Sequence, residues 1–216
     1  MMNLNCWVFF IIGVMIGICP LTAEESGINE KGNTMNPKVL IIYGTRAGST
    51  AEVADSIAAI LKSHDVTVEL REAKQVKSVK GYSLVIIGSA IRLGKVLPEI
   101  QSLVEKHQED LSKTATAFFV VCMTLKDNTP ENRKIANGFL DPLRKLVTPV
   151  EAGLFAGKMD YSKLGFLARF ACKYMVKVPE GDFRDWPVIR AWTNGLAGRI
   201  KSGAPEQAAN LVRQAS

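Results

Sequence analysis

The segment KVLIIYGTRAGST, residues 38–50, joins an unbroken apolar run to a short polar loop. The run Val39–Tyr43 carries no charge and predicts a central strand that is buried on both faces, as in a parallel sheet. Helical periodicity begins directly after the loop and predicts a helix over 49–63, with Ser49 and Glu52 as a capping box at its start. A strand, a tight loop and a helix in this order predict the first unit of an open α/β sheet.

The same alternation of short apolar runs and helical patterns continues to about residue 200. Four more strands are predicted, at residues 66–70, 84–87, 117–121 and 150–155. Further helices are predicted at residues 98–111, at 130–146 with interruptions at Gly138 and Pro142, and at 186–200 with Asp185 as N-cap. Five strands interleaved with helices indicate a doubly wound sheet, and such a sheet binds its ligand at the carboxyl ends of the strands.

The composition is that of a folded protein. Of the 216 residues, 47% are hydrophobic and 22% are charged, which argues against a disordered chain and against a polytopic membrane protein. The formal net charge of +6 favours an anionic partner, such as nucleic acid, anionic lipid or a phosphorylated ligand. Four scattered cysteines and two histidines form no zinc or dithiol motif, so no metal site is predicted. His107 falls on the apolar stripe of its helix and is expected to be a half-buried packing residue.

Residues 1–34 form an extension that differs from the rest of the chain. Its first 23 residues contain no charged side chain, and residues 7–19 are continuously apolar. A membrane anchor or uncleaved signal, a cleaved signal peptide, and upstream sequence translated from a misplaced start before Met35 all fit this pattern. We expect the folded domain to span residues 35–203, followed by a tail over 204–216.

The loop after the first strand is equipped to bind a phosphate. Backbone N–H groups and the dipole at the start of a helix favour an anion there. Neither a Walker A motif nor the glycine pattern of a dinucleotide site is present, which argues against nucleoside triphosphates and dinucleotides. The alternative is a hydroxyl-rich cap that only satisfies the helix start. The candidate phosphate ligands are Thr45, Arg46, Ala47, Gly48, Ser49 and Thr50.

Two further loops are expected at the same edge of the sheet, after the third and fourth strands. The segment GSAIRLGK, residues 88–95, places two glycines around a mixed apolar and polar stretch. Such a loop suits a flat ring that needs backbone hydrogen bonds and one apolar wall. The loop over 122–129 is expected beside it.

Together these loops resemble those of a known group of flavoproteins. Residues 39–50, with their pattern T-x-x-G-x-T, resemble the FMN phosphate loop of flavodoxins. Residues 88–94 resemble the corresponding loop of the quinone-dependent protoporphyrinogen dehydrogenases, which are flavodoxin-like enzymes of haem synthesis. The resemblance spans about residues 38–200 and implies a flavodoxin-like, doubly wound sheet of five parallel strands in the order 2-1-3-4-5.

The resemblance also implies the cofactor and its contacts. The loop over 45–50 would hold the FMN phosphate, and the isoalloxazine ring would be lined by Ser89, Ala90, Ile91, Arg92, Leu93, Gly94, Cys122, Met123 and Thr124. Where the family often has an aromatic residue after the arginine, this chain has Leu93, so stacking on the ring is expected to be lost. Cys122 has the alternative role of a small buried hydrophobe at a strand end. No side chain is identified as a general base.

Residues 157–184 form a basic and aromatic insertion before the last helix. On a helix, its cations Arg169, Lys173 and Lys177 fall on one stripe, with aromatic and aliphatic residues over most of the remaining surface. This pattern predicts a helix over 163–178 that lies in an anionic membrane interface. A peripheral helix packed on the sheet, with its lysines in water, is the alternative. The protoporphyrinogen dehydrogenases carry a similar insertion at this place.

The resemblance as a whole implies an FMN-dependent oxidoreductase. The basic insertion predicts that it is associated with a membrane, and we expect this to be the cytoplasmic face. The enzyme would oxidise a porphyrinogen-like substrate and pass the electrons to a quinone. Nucleic acid is not expected as a partner, because no recognition helix or RNA-binding motif accompanies the basic stripe. Two alternatives remain, an FMN electron carrier without its own substrate and a domain that has lost FMN and only binds a partner. The positive net charge argues against the carrier.

Overall fold

The computed structural model describes residues 37–163, 165, 169, 170 and 179–203, all within the unit Met35–Ser216. The extension 1–34, the tail 204–216 and most of the helix predicted over 163–178 lie outside the described residues. The strands are β1 (Lys38–Gly44), β2 (Thr67–Glu72), β3 (Leu84–Arg92), β4 (Lys95–Val96), β5 (Ala115–Cys122), β6 (Glu151–Ala156), β7 (Lys158–Met159) and β8 (Gly181–Asp182). The helices are α1 (Ser49–Ser63), α2 (Pro98–Lys106), α3 (Gln108–Ser112), α4 (Pro130–Gly138), α5 (Asp141–Arg144) and α6 (Trp186–Lys201).

Five parallel strands form one sheet in the order β2-β1-β3-β5-β6, and β4 pairs antiparallel with the end of β3. When the short β4 is left out of the count, this is the predicted order 2-1-3-4-5, and the flavodoxin-like doubly wound fold is confirmed. In the register of the sheet, Gly44 lies opposite Ser89, and Cys122 lies opposite Ala156. The carboxyl ends of the central strands therefore meet at one edge, where the candidate loops emerge.

The hydrophobic core lies on both faces of the sheet, because alternate residues of a strand point to opposite sides. In β1, Val39 and Ile41 pack with α1 and α6 on one face. Leu40 and Ile42 pack with α2 and α5 on the other face. All four side chains are at most 1% exposed. Burial on both faces explains why β1 carries a continuous apolar run instead of an alternating pattern.

The third strand is longer than the sequence predicts. It runs to Arg92 and turns back into β4, so the expectation of an irregular loop over 88–95 is wrong. Leu93 and Gly94 form the two-residue turn, with φ angles of 50° and 72°. Positive φ at both positions is characteristic of a type I′ hairpin, whose first position usually holds asparagine, aspartate or glycine. The sequence did not predict the hairpin because leucine is unusual at this position.

The helices depart from the predicted ones at three places. The prediction of a capping box at the start of α1 is wrong, because the N-cap is Gly48 in a left-handed conformation and the cap makes no side-chain hydrogen bond. The helix predicted over 98–111 is broken at His107, which is 9% exposed and whose pKa is lowered by burial, as expected for a packing residue. The interruption predicted at Gly138 is confirmed, since α4 ends there, whereas the one predicted at Pro142 is wrong, because this proline lies in the first turn of α5. The predicted cap of α6 is confirmed, since the Asp185 carboxylate accepts a hydrogen bond from a first-turn N–H at 3.1 Å.

The insertion begins and ends in a small antiparallel sheet made by β7 and β8. Lys158 lies opposite Asp182 in this pair, and the Phe183 N–H donates to the Gly157 carbonyl at 3.1 Å. These contacts bring both ends of the insertion together directly after β6. Within the residues described, no helix has the length and apolar character needed to cross a bilayer.

Candidate functional site

The loop between β1 and α1 has the geometry of an anion site. Gly48 has a φ angle of 93°, and its N–H donates to the Thr45 hydroxyl at 3.0 Å, which closes the loop. The N–H groups in the first turn of a helix have no intrahelical partners, and together with the helix dipole they favour a bound anion. A Cβ added to Gly48 would have no neighbouring atom within 4 Å, so the space beside this glycine is open.

Thr50 supplies the observation that points to a ligand at this loop. The residue lies in the first turn of α1 and is 0% exposed, and its hydroxyl finds no hydrogen-bond partner among the described residues. Leaving a buried hydroxyl unpaired costs roughly 1–3 kcal/mol, so such a group calls for an explanation. An oxyanion seated on the N-terminus of α1 would accept this hydrogen bond. The loop therefore fits the terminal phosphate of FMN.

Arg46 is engaged by a carboxylate on a neighbouring helix. Its guanidinium donates two hydrogen bonds to Glu99 at the start of α2, one of them 2.8 Å long. This pairing lowers the pKa of Glu99. The Arg46 side chain remains 41% exposed, so it ties the loop to α2 while facing solvent. Of the other loop residues, Ala47 and Ser49 are half-buried.

Gly88 and Ser89 shape the end of β3 through packing and internal hydrogen bonds. A Cβ on Gly88 would lie 2.0 Å from the Phe119 ring of β5, so only glycine fits there. The Ser89 hydroxyl donates to the Ala90 carbonyl at 2.7 Å and accepts from the Leu97 N–H at 3.0 Å. Both residues thus hold the hairpin in place. This structural role alone explains why glycine and serine occur at these positions.

The remaining residues of the predicted ring-binding segment form the hairpin itself. Ala90 and Ile91 are half-buried, whereas Arg92 and Gly94 are exposed. Leu93 at the tip is 93% exposed, so its side chain has almost no packing partner in the described part of the chain. The hairpin thus projects from the sheet edge and can form one wall of a cleft.

A groove of about 680 Å³ runs between this hairpin and α2. It is lined by apolar residues that include Val96 and Pro98, by the carboxylate of Glu105, and by three cations, Arg46, Arg92 and Lys95. Apolar surface flanked by guanidinium and ammonium groups can bind an apolar molecule that carries carboxylates. Because Arg46 also belongs to the loop between β1 and α1, the groove borders that loop.

Cys122 is the last residue of β5 and packs in a small apolar cluster with Leu125, Ala136 and Ala156. Burial raises the pKa of its thiol. This supports the alternative of a small buried hydrophobe. Met123 and Thr124 follow in a short 3-10 turn and are half-buried at the sheet edge, beside the start of the insertion.

The sequence did not predict the contacts of Arg184, which lies at the end of the insertion. Its side chain is only 4% exposed and donates to Glu52 of α1 at 2.6 Å. It also donates to both carboxylate oxygens of Asp182, at 2.8 and 2.5 Å. Arg184 and Glu52 are separated by 132 positions, so no local pattern could have paired them.

Within the described part of the chain, no three His, Cys, Asp or Glu side chains come together as a metal site requires. The two histidines have other roles. His64 lies 3.0 Å from the side-chain oxygen of Asn194 on α6, and His107 is packed between α2 and α3.

A doubly wound sheet with its five parallel strands in this order is the flavodoxin-like arrangement, which binds its ligand at the carboxyl ends of the strands. The chain matches the flavodoxin domain over residues 40–185 and belongs to that family, which implies a flavin cofactor. A relative in Leishmania major, protoporphyrinogen IX dehydrogenase (quinone), is 27% identical over 195 residues, covering 84% of each chain. The protein of the same name in Escherichia coli strain K12 is 27% identical over 173 residues, 74% of this chain and 94% of that one.

Among solved structures, a flavodoxin from the domain Archaea aligns with a TM-score of 0.49 and 16% identity, covering 76% of this chain and 99% of that chain. The two dehydrogenases confirm the resemblance that the loops predicted, namely a flavodoxin-like protein similar to the protoporphyrinogen dehydrogenases.

Proposed function

We propose that this protein is an FMN-dependent oxidoreductase that oxidises a porphyrinogen and passes the electrons to a quinone. The binding of FMN is supported by the buried Thr50 hydroxyl, which has no hydrogen-bond partner among the described residues and lies beside a glycine-capped helix N-terminus. The substrate and the acceptor are supported by the names of the two dehydrogenases, each 27% identical to this chain. When bound, FMN would supply the two-electron redox chemistry, while the protein binds and orients it.

The three loops at the sheet edge have separate binding roles in this proposal. The first-turn N–H groups of α1 and the Thr50 hydroxyl hold the phosphate. The hairpin over 89–94 and the segment Cys122–Thr124 flank the ring. Because the central strands end in register, these groups are fixed by the sheet rather than by mobile segments.

The groove beside the hairpin is the proposed entry for the porphyrinogen. Porphyrinogens carry propionate side chains on a large apolar body, and this combination suits apolar lining beside Arg92 and Lys95. Replacing both cations, as Arg92→Gln with Lys95→Gln, should raise the KM for the porphyrinogen when it is measured at saturating FMN. The matched control is Lys62→Gln with Lys106→Gln, at the far ends of α1 and α2. Equal KM values for the two double variants would reject the groove as the entry.

We also propose that the protein works at the cytoplasmic face of an anionic membrane. The support is the stripe Arg169, Lys173 and Lys177, with Arg169 and Phe170 both exposed. Each basic residue near an anionic surface contributes about 1 kcal/mol. The protein starting at Met35 should co-sediment with anionic vesicles, and Arg169→Glu with Lys173→Glu should abolish this at low salt. The double charge reversal Lys62→Glu with Lys106→Glu is the control, and equal losses in both variants would reject the stripe as the contact.

The proposed reaction is tested by anaerobic assay of the FMN-loaded protein with protoporphyrinogen and a menaquinone analogue. We expect porphyrin fluorescence to appear together with reduced quinone. Deleting residues 161–178 should reduce this turnover and leave FMN bound, because the phosphate and ring loops precede residue 130. Flavin-loaded protein that oxidises no porphyrinogen would instead favour an electron carrier without its own substrate.

A further inference from the structure

Arg184 is a buried cation that joins two distant parts of the chain. It follows β8, at the end of the insertion, whereas Glu52 lies in the first turn of α1. The guanidinium is shared between the carboxylates of Glu52 and Asp182 and lies 4.5 Å from the centre of the Trp186 ring. These contacts place the Arg184 guanidinium beside the first turn of α1.

The position of Glu52 makes this pairing relevant to the anion loop. The Glu52 N–H donates to the carbonyl of Gly48, the N-cap, at 3.1 Å. Glu52 therefore lies within one helical turn of the N–H groups that favour an anion. A carboxylate near a bound phosphate would repel the phosphate unless a cation compensated its charge. Arg184 is the cation that donates a hydrogen bond to the Glu52 carboxylate.

We propose that Arg184 is a positioning residue for the phosphate site, which it keeps receptive to a dianion by pairing with Glu52. This inference rests on the proposed binding of FMN at the loop over 45–50. It differs from a purely structural role because the proposed effect of Arg184 on the phosphate site passes through the charge of Glu52. It also links the base of the insertion to the cofactor, since Asp182 of β8 holds the same guanidinium.

The test is a double-mutant cycle on the full chain, with FMN affinity measured by flavin fluorescence quenching. Arg184→Gln should weaken FMN binding by about tenfold, the effect of one uncompensated charge near the phosphate. Adding Glu52→Gln should restore the affinity to within about threefold of the wild type. Riboflavin, which lacks the phosphate, should bind the wild type and Arg184→Gln equally.

A second arm avoids any dependence on the folding of the Arg184 variant. The Glu52 side chain is 50% exposed, so Glu52→Gln alone should fold, and it should tighten FMN binding by about threefold. Loss of riboflavin and FMN affinity together, without rescue by Glu52→Gln, would overturn the inference in favour of a structural role. An unchanged FMN affinity in both single variants would also overturn it. Failure of the wild type to bind FMN would instead reject the proposed function.

Discussion

The guanidinium of Arg46, in the loop between β1 and α1, is paired through two hydrogen bonds with the carboxylate of Glu99, which follows Pro98 at the start of α2. This contact ties the anion site to the helix that borders the groove. Because Arg46 holds the pKa of Glu99 below its usual value, the ion pair stabilises the folded state above the pKa of an unfolded glutamate, about 4.3. The contribution disappears as the pH falls through the lowered pKa of the folded state.

Replacing Glu99 by glutamine should therefore lower the free energy of unfolding at pH 7 by about 0.2–1 kcal/mol, the usual range for an exposed ion pair. The difference from the wild type should shrink as the pH is lowered below about 4. Urea unfolding across this pH range measures it. Glu131→Gln is the matched control, because Glu131 is exposed and holds the same position after a first-turn proline in α4. A pH-independent difference at Glu99 would contradict the ion-pair account.

Replacing Thr50 by valine should have opposite effects on the free and the FMN-bound protein. Without FMN, the variant loses a buried unpaired hydroxyl and should be more stable by about 1 kcal/mol. FMN affinity should fall by about tenfold or more, because a charge-assisted hydrogen bond to the phosphate is lost.

Thermal unfolding and FMN titration measure the two effects of the Thr50 variant. Thr193→Val is the control, since that buried hydroxyl already donates to the Ile189 carbonyl at 2.8 Å. Thr193→Val should not be stabilised and should bind FMN normally. A Thr50→Val protein that is destabilised without FMN and binds FMN normally would show that the hydroxyl has no ligand role.

Replacing Gly48 by aspartate should abolish FMN binding, because it adds a negative charge where the phosphate is expected. The substitution also strains the backbone, since the φ angle is 93°. Gly81→Asp is the control for backbone strain. Gly81 has a φ angle of 81°, and a Cβ added there, as at Gly48, would have no atom within 4 Å. Both variants should lose similar stability in thermal unfolding, but only the Gly48 variant should fail to quench FMN fluorescence. Loss of FMN in both variants would indicate a general effect of strain.

Replacing Leu93 by asparagine should stabilise the protein. A leucine at a φ angle of 50° is strained, and the side chain is 93% exposed, so its removal costs little packing. Asparagine before glycine is favoured in a type I′ turn, and the gain should be about 0.5–1 kcal/mol in urea unfolding. Leu93→Val should lower stability, because a β-branched residue tolerates positive φ poorly. Equal stabilities for the two variants would argue against strain at this turn.

The sheet and the first loop could be predicted from sequence because their signals are local. The apolar run of β1 predicts a strand buried on both faces, and the glycine among hydroxyl residues before α1 predicts a tight turn into the helix. The hairpin at Leu93 was missed because leucine rarely adopts positive φ. The break at His107 was missed because the apolar stripe continues across it. The contact between Arg184 and Glu52 was missed because it depends on tertiary structure alone.

Titration of the flavin-free full chain with FMN, riboflavin and FAD tests whether the loop over 45–50 binds the FMN phosphate. We expect stoichiometric quenching of flavin fluorescence with FMN. We also expect affinity for riboflavin at least about 100-fold weaker, since charge-assisted phosphate contacts contribute several kcal/mol together. FAD should bind more weakly than FMN, because the dinucleotide glycines are absent. Absence of FMN binding, or equal affinities for FMN and riboflavin, would contradict binding of the phosphate at this loop.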